Sequence, residues 1–341
     1  MQKSCLVLYS GGLDSILACR VLMDQGIEVT AVKFITPFFG WELKGREAEA
    51  ADEARQKYGI RLHVEDITGE YLKMVVAPEH GYGRYLNPCI DCKILMVKKA
   101  LELMPLFGAS FIATGEVLGQ RPMSQRRDTL RIIERDSGAE GLLVRPLSAR
   151  SLPPTRPQEE GLIDVEQLPA ISGRGRKVQM ALAKRFGITD YPSPAGGCVL
   201  ADPALSERFR RIFGLWPDFT PDDILLAQKG RHFLLPGGSW LVVGRNQAEN
   251  RKIAALFIPG DLWARADVPG PLCLLRRWHQ ADLEPAARII ARYSRCGEPP
   301  CTISFRTVVD DSGRHQPLES PLGSIEVHDP AEGQFLEQYR F

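Results

Sequence analysis

Six residues near the N-terminus combine side chains and backbone suited to holding phosphate groups. They form the run Ser10-Gly11-Gly12-Leu13-Asp14-Ser15, which follows a short apolar segment and precedes an amphipathic one. Glycines let the backbone approach an anion closely, amides at a helix start point at it, and Ser10 and Ser15 add hydroxyl donors. Asp14 would repel phosphate, so its presence indicates a bridging Mg²⁺. The run is neither a Walker motif nor GxGxxG, and an ordinary strand–helix turn is the alternative.

Three cysteines form a second group that could do chemistry. Cys89 and Cys92 lie one turn apart at the start of a predicted helix, where both thiols point the same way and helix amides favour the thiolate. Cys198 follows a small-residue loop, 193–197, that permits close approach. We read Asp91, between the first two cysteines, as a helix N-terminal charge rather than an acid or base.

Three thiols at these positions are compatible with four kinds of site. A structural zinc ion usually takes four protein ligands, and no histidine lies close to them in sequence. Cys92 and Cys198 could form a redox pair with persulfide chemistry. All three could be inert buried residues, as we expect for Cys5 and Cys19. The fourth interpretation is a [4Fe–4S] cluster with three cysteine ligands and one open iron.

The elements that must position these groups alternate between strands and helices. This pattern predicts an α/β fold, a doubly wound parallel sheet with ligands at the carboxyl ends of its strands. The predicted strands are 4–9, 27–34, 61–64 and 110–114, and the predicted helices between them are 14–25, 44–58 and 92–103.

A length of 341 residues fits two domains. We place the ATP-binding and catalytic domain with the three cysteines at 1–200, and a smaller α+β module at 201–341 that could bind RNA. A proline-rich stretch, 152–157, predicts an extended connection, and 231–245 reads as a hairpin.

Composition narrows the class of protein and its location. Lys and Arg number 43 against 42 Asp and Glu, which excludes a strongly basic coat for nucleic acid but not a local basic patch. No apolar run approaches the roughly 18 residues of a membrane span. Residues 1–9 run directly into the phosphate loop, so we expect no removable signal peptide, a cytoplasmic location and no membrane partner. The eight cysteines should then form no disulfide framework, and Cys296 and Cys301 are incidental or a second metal pair.

The run SGGLDS at the end of the first strand resembles the signature of the PP-loop ATP pyrophosphatases, whose domains are adenine nucleotide alpha hydrolase-like. This resemblance implies that ATP is split between its α- and β-phosphates. It also implies that the backbone of Phe34 lies near the adenine. The residues expected to hold the pyrophosphate are Ser10, Gly11, Gly12, Asp14 and Ser15.

A second stretch, 113–125, is similar to the TGDSLGQ…SQ element of the transfer-RNA 4-thiouridine synthetase family. There the element closes the nucleotide site. Glu116 stands where that family has Asp, and 121–123 replaces a shorter run of small residues. The resemblance assigns nucleotide contacts to Thr114, Gly115, Gln120 and Gln125.

The strings NPCxxC and GGC resemble the cysteine pattern of cluster-dependent transfer-RNA thiouridine synthetases. Persulfide-type 2-thiouridylases have Asp at the position of Cys89, so the resemblance favours a [4Fe–4S] cluster on Cys89, Cys92 and Cys198. It implies an ATP-dependent tRNA sulfurtransferase that adenylates a uridine carbonyl oxygen and replaces it with sulfur. Asp14 and the three cysteines are the expected catalytic residues, and ATP, Mg²⁺ and the cluster the cofactors.

Such an enzyme needs tRNA and a sulfur donor, either sulfide or a persulfide-carrying protein. Basic clusters at 121–131, 174–177 and 208–211 could hold the RNA, and 230–246 resembles small RNA-associated modules. The sequence leaves open whether the chain forms a homodimer. One alternative is a PP-loop enzyme that adenylates a small metabolite or cofactor precursor for sulfur insertion or amidation. Another is a redox-sensing RNA- or nucleotide-binding protein on a decayed PP-loop.

Overall fold

The structure is a computed structural model that describes residues 3–192, 198–297, 300–309 and 318–341. It divides into two compact units, Met1–Ser206 and Glu207–Phe341. The small-residue loop 193–197, which the sequence places before Cys198, lies outside the described residues.

The first unit is built on a five-stranded parallel sheet in the order β3-β2-β1-β4-β5. All five residues of β1 are buried, as expected for a central strand covered on both faces. The strand order reverses between β1 and β4, so the phosphate loop and Thr114 end neighbouring strands at the switch point. The strands are β1 (Ser4–Leu8), β2 (Glu28–Ile35), β3 (Arg61–Asp66), β4 (Phe111–Thr114) and β5 (Leu143–Val144).

Helices connect these strands and pack against the sheet. The helix α1 buries eight of its eleven residues, and its apolar side chains join those of β1 in one core. The helices are α1 (Leu13–Met23), α2 (Glu47–Tyr58), α3 (Thr68–Val76), α4 (Cys89–Phe107), α5 (Arg127–Ser137), α6 (Arg156–Glu159) and α7 (Lys177–Arg185), followed by α8 (Pro203–Leu215), within which the division between the units falls.

The second unit is built on a six-stranded antiparallel sheet in the order β11-β10-β8-β9-β7-β6. Its strands are β6 (Arg231–Leu234), β7 (Trp240–Val243), β8 (Leu262–Ala266), β9 (Cys273–Arg276), β10 (Cys301–Val309) and β11 (Leu318–Val327). Its further helices are α9 (Pro221–Ala227), α10 (Gln247–Ala254), α11 (Leu283–Tyr293) and α12 (Gly333–Tyr339). The predicted hairpin is confirmed, since β6 and β7 pair antiparallel.

Alternation along the strands gives this second sheet a core face and an opposite face. Leu262, Ala264 and Ala266 of β8 lie in one apolar cluster with residues of α11. The residues between them, Trp263 and Arg265, therefore point to the other side of the sheet. Together the two units confirm the predicted α/β class with a C-terminal α+β module.

Two local expectations differ from the structure. The proline-rich stretch contains the short helix α6, because Thr155 and Gln158 form a capping box and Pro157 lies in the first turn, where proline is tolerated. Cys296 and Cys301 are joined by a disulfide, so they are neither incidental nor a metal pair. Their Cα atoms lie 5.8 Å apart, where the chain after α11 meets the start of β10. Within the described ranges, no helix combines the length and apolarity needed to cross a bilayer.

Candidate active site

A cavity of about 480 Å³ opens at the switch point of the first sheet. It brings together the ends of β1, β2 and β4, the first turn of α4 and Cys198. Gly11 and Gly12 belong to the same loop, although they are not among the residues that line the cavity. The sequence-predicted residues that line it are Ser10, Asp14, Ser15, Phe34, Cys89, Cys92, Thr114, Gly115, Gln120, Gln125 and Cys198.

The phosphate loop is held by its own hydroxyl groups. Ser15 Oγ donates to the carbonyl oxygen of Gly12 at 2.7 Å, and Ser10 Oγ lies 3.2 Å from Ser15 Oγ. Gly11 has a φ of +83°, a left-handed conformation that an L side chain would strain. The loop thus turns sharply into α1, whose first amides have no intrahelical acceptor and can bind an anion.

Gly115 lets the end of β4 pass directly against the start of α1. A Cβ atom at this position would lie 2.6 Å from Ser15 N and 2.7 Å from Asp14 C, closer than real contacts allow. The phosphate loop and the stretch 113–125, which are about a hundred residues apart in sequence, are therefore in van der Waals contact here.

Two carboxylates at the cavity each keep one oxygen without a partner. Asp14 Oδ2 accepts from Gln120 Nε2 at 3.1 Å, and Glu116 Oε2 accepts from Arg145 Nε at 3.2 Å. Asp14 Oδ1 and Glu116 Oε1 are buried and make no hydrogen bond with a described residue. The same holds for Gln125 Oε1. Buried oxygens of this kind are the ligands that Mg²⁺ takes together with substrate phosphates, so the residues present fit that ion.

Lys33 is a cavity residue that the sequence reasoning missed. Its Nζ lies 3.6 Å from the position of a Cβ on Gly11, and it forms no ion pair with a described residue. Its positive charge therefore faces the phosphate loop. The signal was available, because Lys33 is a charged residue within the otherwise apolar run 31–35.

The three cysteines line the same cavity as the phosphate loop. Asn87 Nδ2 lies 3.2 Å from Cys89 Sγ. Burial raises the pKa of Cys198 to about 12 and also raises that of Cys92, and the neighbouring cysteines add to the rise at both. The thiolate expected at this helix start is therefore not favoured at Cys92, because desolvation outweighs the lowering by Lys93 and Tyr71. Without a metal these two are thiols at neutral pH, and metal binding would displace their protons.

Tyr71 is a second residue that sequence reasoning missed. It is fully buried on α3 against Phe38 and Phe39, and its hydroxyl interacts with the thiol of Cys92, which lowers the pKa of that thiol against the rise from burial. Local sequence gives no signal for it, because the contact joins α3 to α4 through tertiary packing.

Asp91 ties the preceding loop to the start of α4. Its carboxylate accepts the backbone N–H groups of Glu79 and His80, and it lies 3.0 Å from His80 Nδ1. The side chain is thus occupied with positioning the segment that carries Cys89 and Cys92.

The three cysteines supply the type of donor that an iron–sulfur cluster takes, although they are not gathered around a single metal ion. In the part of the chain that the structure describes, no three His, Cys, Asp or Glu side chains are arranged to hold a single metal ion. A [4Fe–4S] cluster differs from such an ion because each cysteine binds a different iron atom, so its thiolates stand farther apart. Three thiols around one cavity are the donors that this group takes.

Two family models match separate parts of the chain. Residues 1–151 match the family model described as thiamine biosynthesis protein (ThiI), and 230–339 match that of the NFACT protein RNA binding domain. Over residues 1–151 the first unit is therefore similar to the ThiI family. The sequence of 230–246 resembles small RNA-associated modules, and the family match extends this resemblance over 230–339.

Curated relatives match part of this chain over part of their own length. A tRNA-specific 2-thiouridylase MnmA from Syntrophotalea carbinolica is 36% identical over 125 residues, 33% of this chain and 34% of the relative. The MnmA 3 of Phocaeicola vulgatus is 31% identical over 149 residues, 40% of this chain and 38% of the relative. The chain therefore spans about a third of the length of these relatives.

Two solved structures are similar to part of the chain. A 4-thiouridine synthetase in complex with RNA and ATP is 19% identical, with a TM-score of 0.35, over 54% of this chain and 50% of that one. The U34-tRNA thiolase NcsA of Methanococcus maripaludis, with its [4Fe–4S] cluster, is 16% identical, with a TM-score of 0.32, over 66% and 70%. Both TM-scores lie below 0.5, so these likenesses add nothing to the sequence matches.

Proposed function

We propose that this chain is an ATP-dependent tRNA sulfurtransferase that replaces a uridine carbonyl oxygen with sulfur, using three cysteines to hold a [4Fe–4S] cluster as sulfur carrier. The observation that carries the proposal is one cavity shared by the phosphate loop and Cys89, Cys92 and Cys198. The ThiI match at 1–151 and the MnmA relatives support the choice of thiolation among the uses of a PP-loop.

In the first step the chain binds ATP and orients it for attack at the α-phosphorus. Ser10, Ser15 and the first amides of α1 hold the pyrophosphate, Lys33 adds a positive charge, and the backbone of Phe34 lies beside the adenine. Asp14 and Glu116 would hold Mg²⁺, which supplies charge neutralisation on the phosphates. The uridine carbonyl oxygen then attacks the α-phosphorus, and pyrophosphate leaves with the bonding electron pair.

In the second step sulfur replaces the activated oxygen. A cluster on the three cysteines would supply a nucleophilic sulfide at its open iron. The carbon–sulfur bond forms as the carbon–oxygen bond breaks, and AMP leaves with the former uridine oxygen. The role of the protein is to position the two reactants and to exclude water.

Nucleotide products test the ATP half of the proposal. The full chain, purified without oxygen, should form AMP and pyrophosphate from ATP only when unmodified tRNA is present, and Asp14→Ala should abolish this. Equal turnover without tRNA would instead favour a small-molecule substrate. Unchanged turnover in Asp14→Ala would contradict the assignment of the phosphate loop.

Iron and acid-labile sulfide analysis tests the cluster half. We expect about four of each per chain in the anaerobic wild type, and loss of both in Cys198→Ala. Cys273→Ala is the matched control, because Cys273 is a buried cysteine of the second unit. Absence of iron from the anaerobic wild type would overturn the cluster and leave the persulfide interpretation.

A further inference from the structure

The second sheet has a cavity of about 820 Å³ on the face opposite α11. Trp263 and Arg265 of β8 and Ser304 and Arg306 of β10 line it. The strand register places Arg306 opposite Trp263 and Ser304 opposite Arg265, so the four side chains form one patch. We call this the Trp263 cavity. Nothing in the proposed ATP and sulfur chemistry uses it.

The Trp263 cavity combines positive charge with an aromatic ring. The guanidinium carbons of Arg306 and Arg265 lie 5.3 Å and 5.7 Å from the centre of the indole ring. Arg265 forms no ion pair with any described residue. Asp267 also lines the cavity, and its carboxylate accepts the backbone N–H of Thr302. The lining therefore carries two positively charged side chains and one negatively charged side chain, and this balance favours an anionic ligand.

Two polar groups of the lining lack hydrogen-bond partners. Trp263 Nε1 and Asn250 Oδ1 are both buried, and neither makes a hydrogen bond within the described ranges. A buried polar group without a hydrogen-bond partner destabilises the fold. One donor and one acceptor beside the same cavity are what a ligand with mixed hydrogen-bonding edges, such as a nucleobase, could satisfy.

We propose that the Trp263 cavity binds one unpaired nucleotide of an RNA, with Arg265 and Arg306 on its phosphate and Trp263 and Asn250 near its base. This inference rests on the proposed function for its RNA partner. The whole lining, from Asn250 to Arg306, lies inside the match to an RNA binding domain.

An unpaired nucleotide fits better than duplex RNA. Single-stranded RNA is recognised through aromatic and arginine side chains that contact exposed bases, whereas duplex RNA buries those faces. The cavity volume lies within the roughly 300–1,000 Å³ of pockets that take a small ligand, which leaves room for one nucleotide.

Binding of two fluorescent RNAs to the full chain tests the inference. The probes are a short single-stranded oligonucleotide and an unmodified tRNA, titrated at fixed ionic strength and in a salt series. Arg265→Ala and Arg306→Ala should each weaken single-strand binding about tenfold and reduce the salt slope by about one. In Trp263→Phe, which keeps an aromatic ring, the quenching of tryptophan fluorescence by the oligonucleotide should be lost.

Arg292→Ala is the matched control. Arg292 is exposed on α11, the helix that packs on the other face of the sheet, so its loss removes the same charge away from the cavity. Thermal unfolding of every variant separates lost binding from lost folding. If the cavity variants bind RNA like the wild type, or if Arg292→Ala weakens binding equally, the inference is overturned while tRNA remains the proposed substrate. A wild type that binds neither RNA overturns both.

Discussion

At the scale of single residues, Lys33 places a positive charge beside the phosphate loop. If the pyrophosphate of ATP lies there, Lys33→Met should raise the KM for ATP about tenfold or more, since a hydrogen bond to a charged group contributes about 1.5–3 kcal/mol. Steady-state pyrophosphate release measures this. Lys44→Met is the control, because Lys44 pairs with Asp66 outside the cavity. An unchanged KM in Lys33→Met would contradict the position of the pyrophosphate.

Tyr71 gives a residue-scale prediction for the sulfur site. Its hydroxyl interacts with the thiol of Cys92, and hydrogen bonds to cluster sulfurs stabilise the more negative, reduced state. Tyr71→Phe should therefore retain iron and sulfide but lower the reduction potential of the cluster, as followed by spectroelectrochemical titration. The phenylalanine keeps the ring packed on Phe38 and Phe39. A potential equal to that of the wild type would show that this hydroxyl does not act on a cluster ligand.

At the scale of elements, the contact between β4 and α1 fixes the nucleotide site. Gly115→Ala would place a methyl group within 2.7 Å of the α1 backbone, so the two elements must separate. We expect ATP affinity, measured by calorimetry, to fall at least tenfold, with the helix content seen by circular dichroism retained. Gly69→Ala is the control, because nothing lies within 4 Å of a Cβ there. Equal affinity in both variants would contradict the close contact.

A buried ion-pair network holds elements of the second unit together. Arg276 on β9 lies 2.8 Å from both Asp223 of α9 and Asp261, and all three side chains are buried. Arg276→Leu leaves Asp261 buried without its cation and Asp223 with only Arg277, at 3.3 Å, a loss expected to cost about 3–5 kcal/mol. Chemical unfolding of the full chain measures it.

Arg245→Leu is the matched control for this network. It removes a pair between the exposed Arg245 and the partly buried Glu249, which should cost at most about 1 kcal/mol. Similar losses for the two arginine variants would show that the buried network contributes no more than a surface pair.

The elements that sequence predicted are those with strong local signals. The run SGGLDS after an apolar segment fixed β1 and α1 to within a residue or two, and Pro236-Gly237-Gly238 marked the turn between β6 and β7. The helix α11 was missed. Its Pro285 lies in the first turn, where proline is tolerated, although a proline in the sequence usually speaks against a helix. The strand β11 was missed as well.

At the scale of the whole molecule, the candidate site depends on tertiary proximity that sequence could not give. Motifs at 10–15, 89–92, 113–125 and position 198 meet only because the sheet order places β1 next to β4. The resemblance to known families, and not the spacing of these motifs, predicted that they act together in one site. By contrast, the position of Tyr71 beside Cys92 and the disulfide between Cys296 and Cys301 follow from packing that no local pattern encodes.

Formation of thiouridine by the intact chain tests the central claim most directly. The anaerobic protein is incubated with unmodified tRNA, ATP, Mg²⁺ and sulfide, and the digested nucleosides are analysed by mass spectrometry. A thiouridine that requires ATP and is absent with Asp14→Ala or Cys198→Ala, but present with Cys273→Ala, is the predicted result. Iron-loaded wild-type protein that cleaves ATP yet leaves every uridine unthiolated would contradict the account.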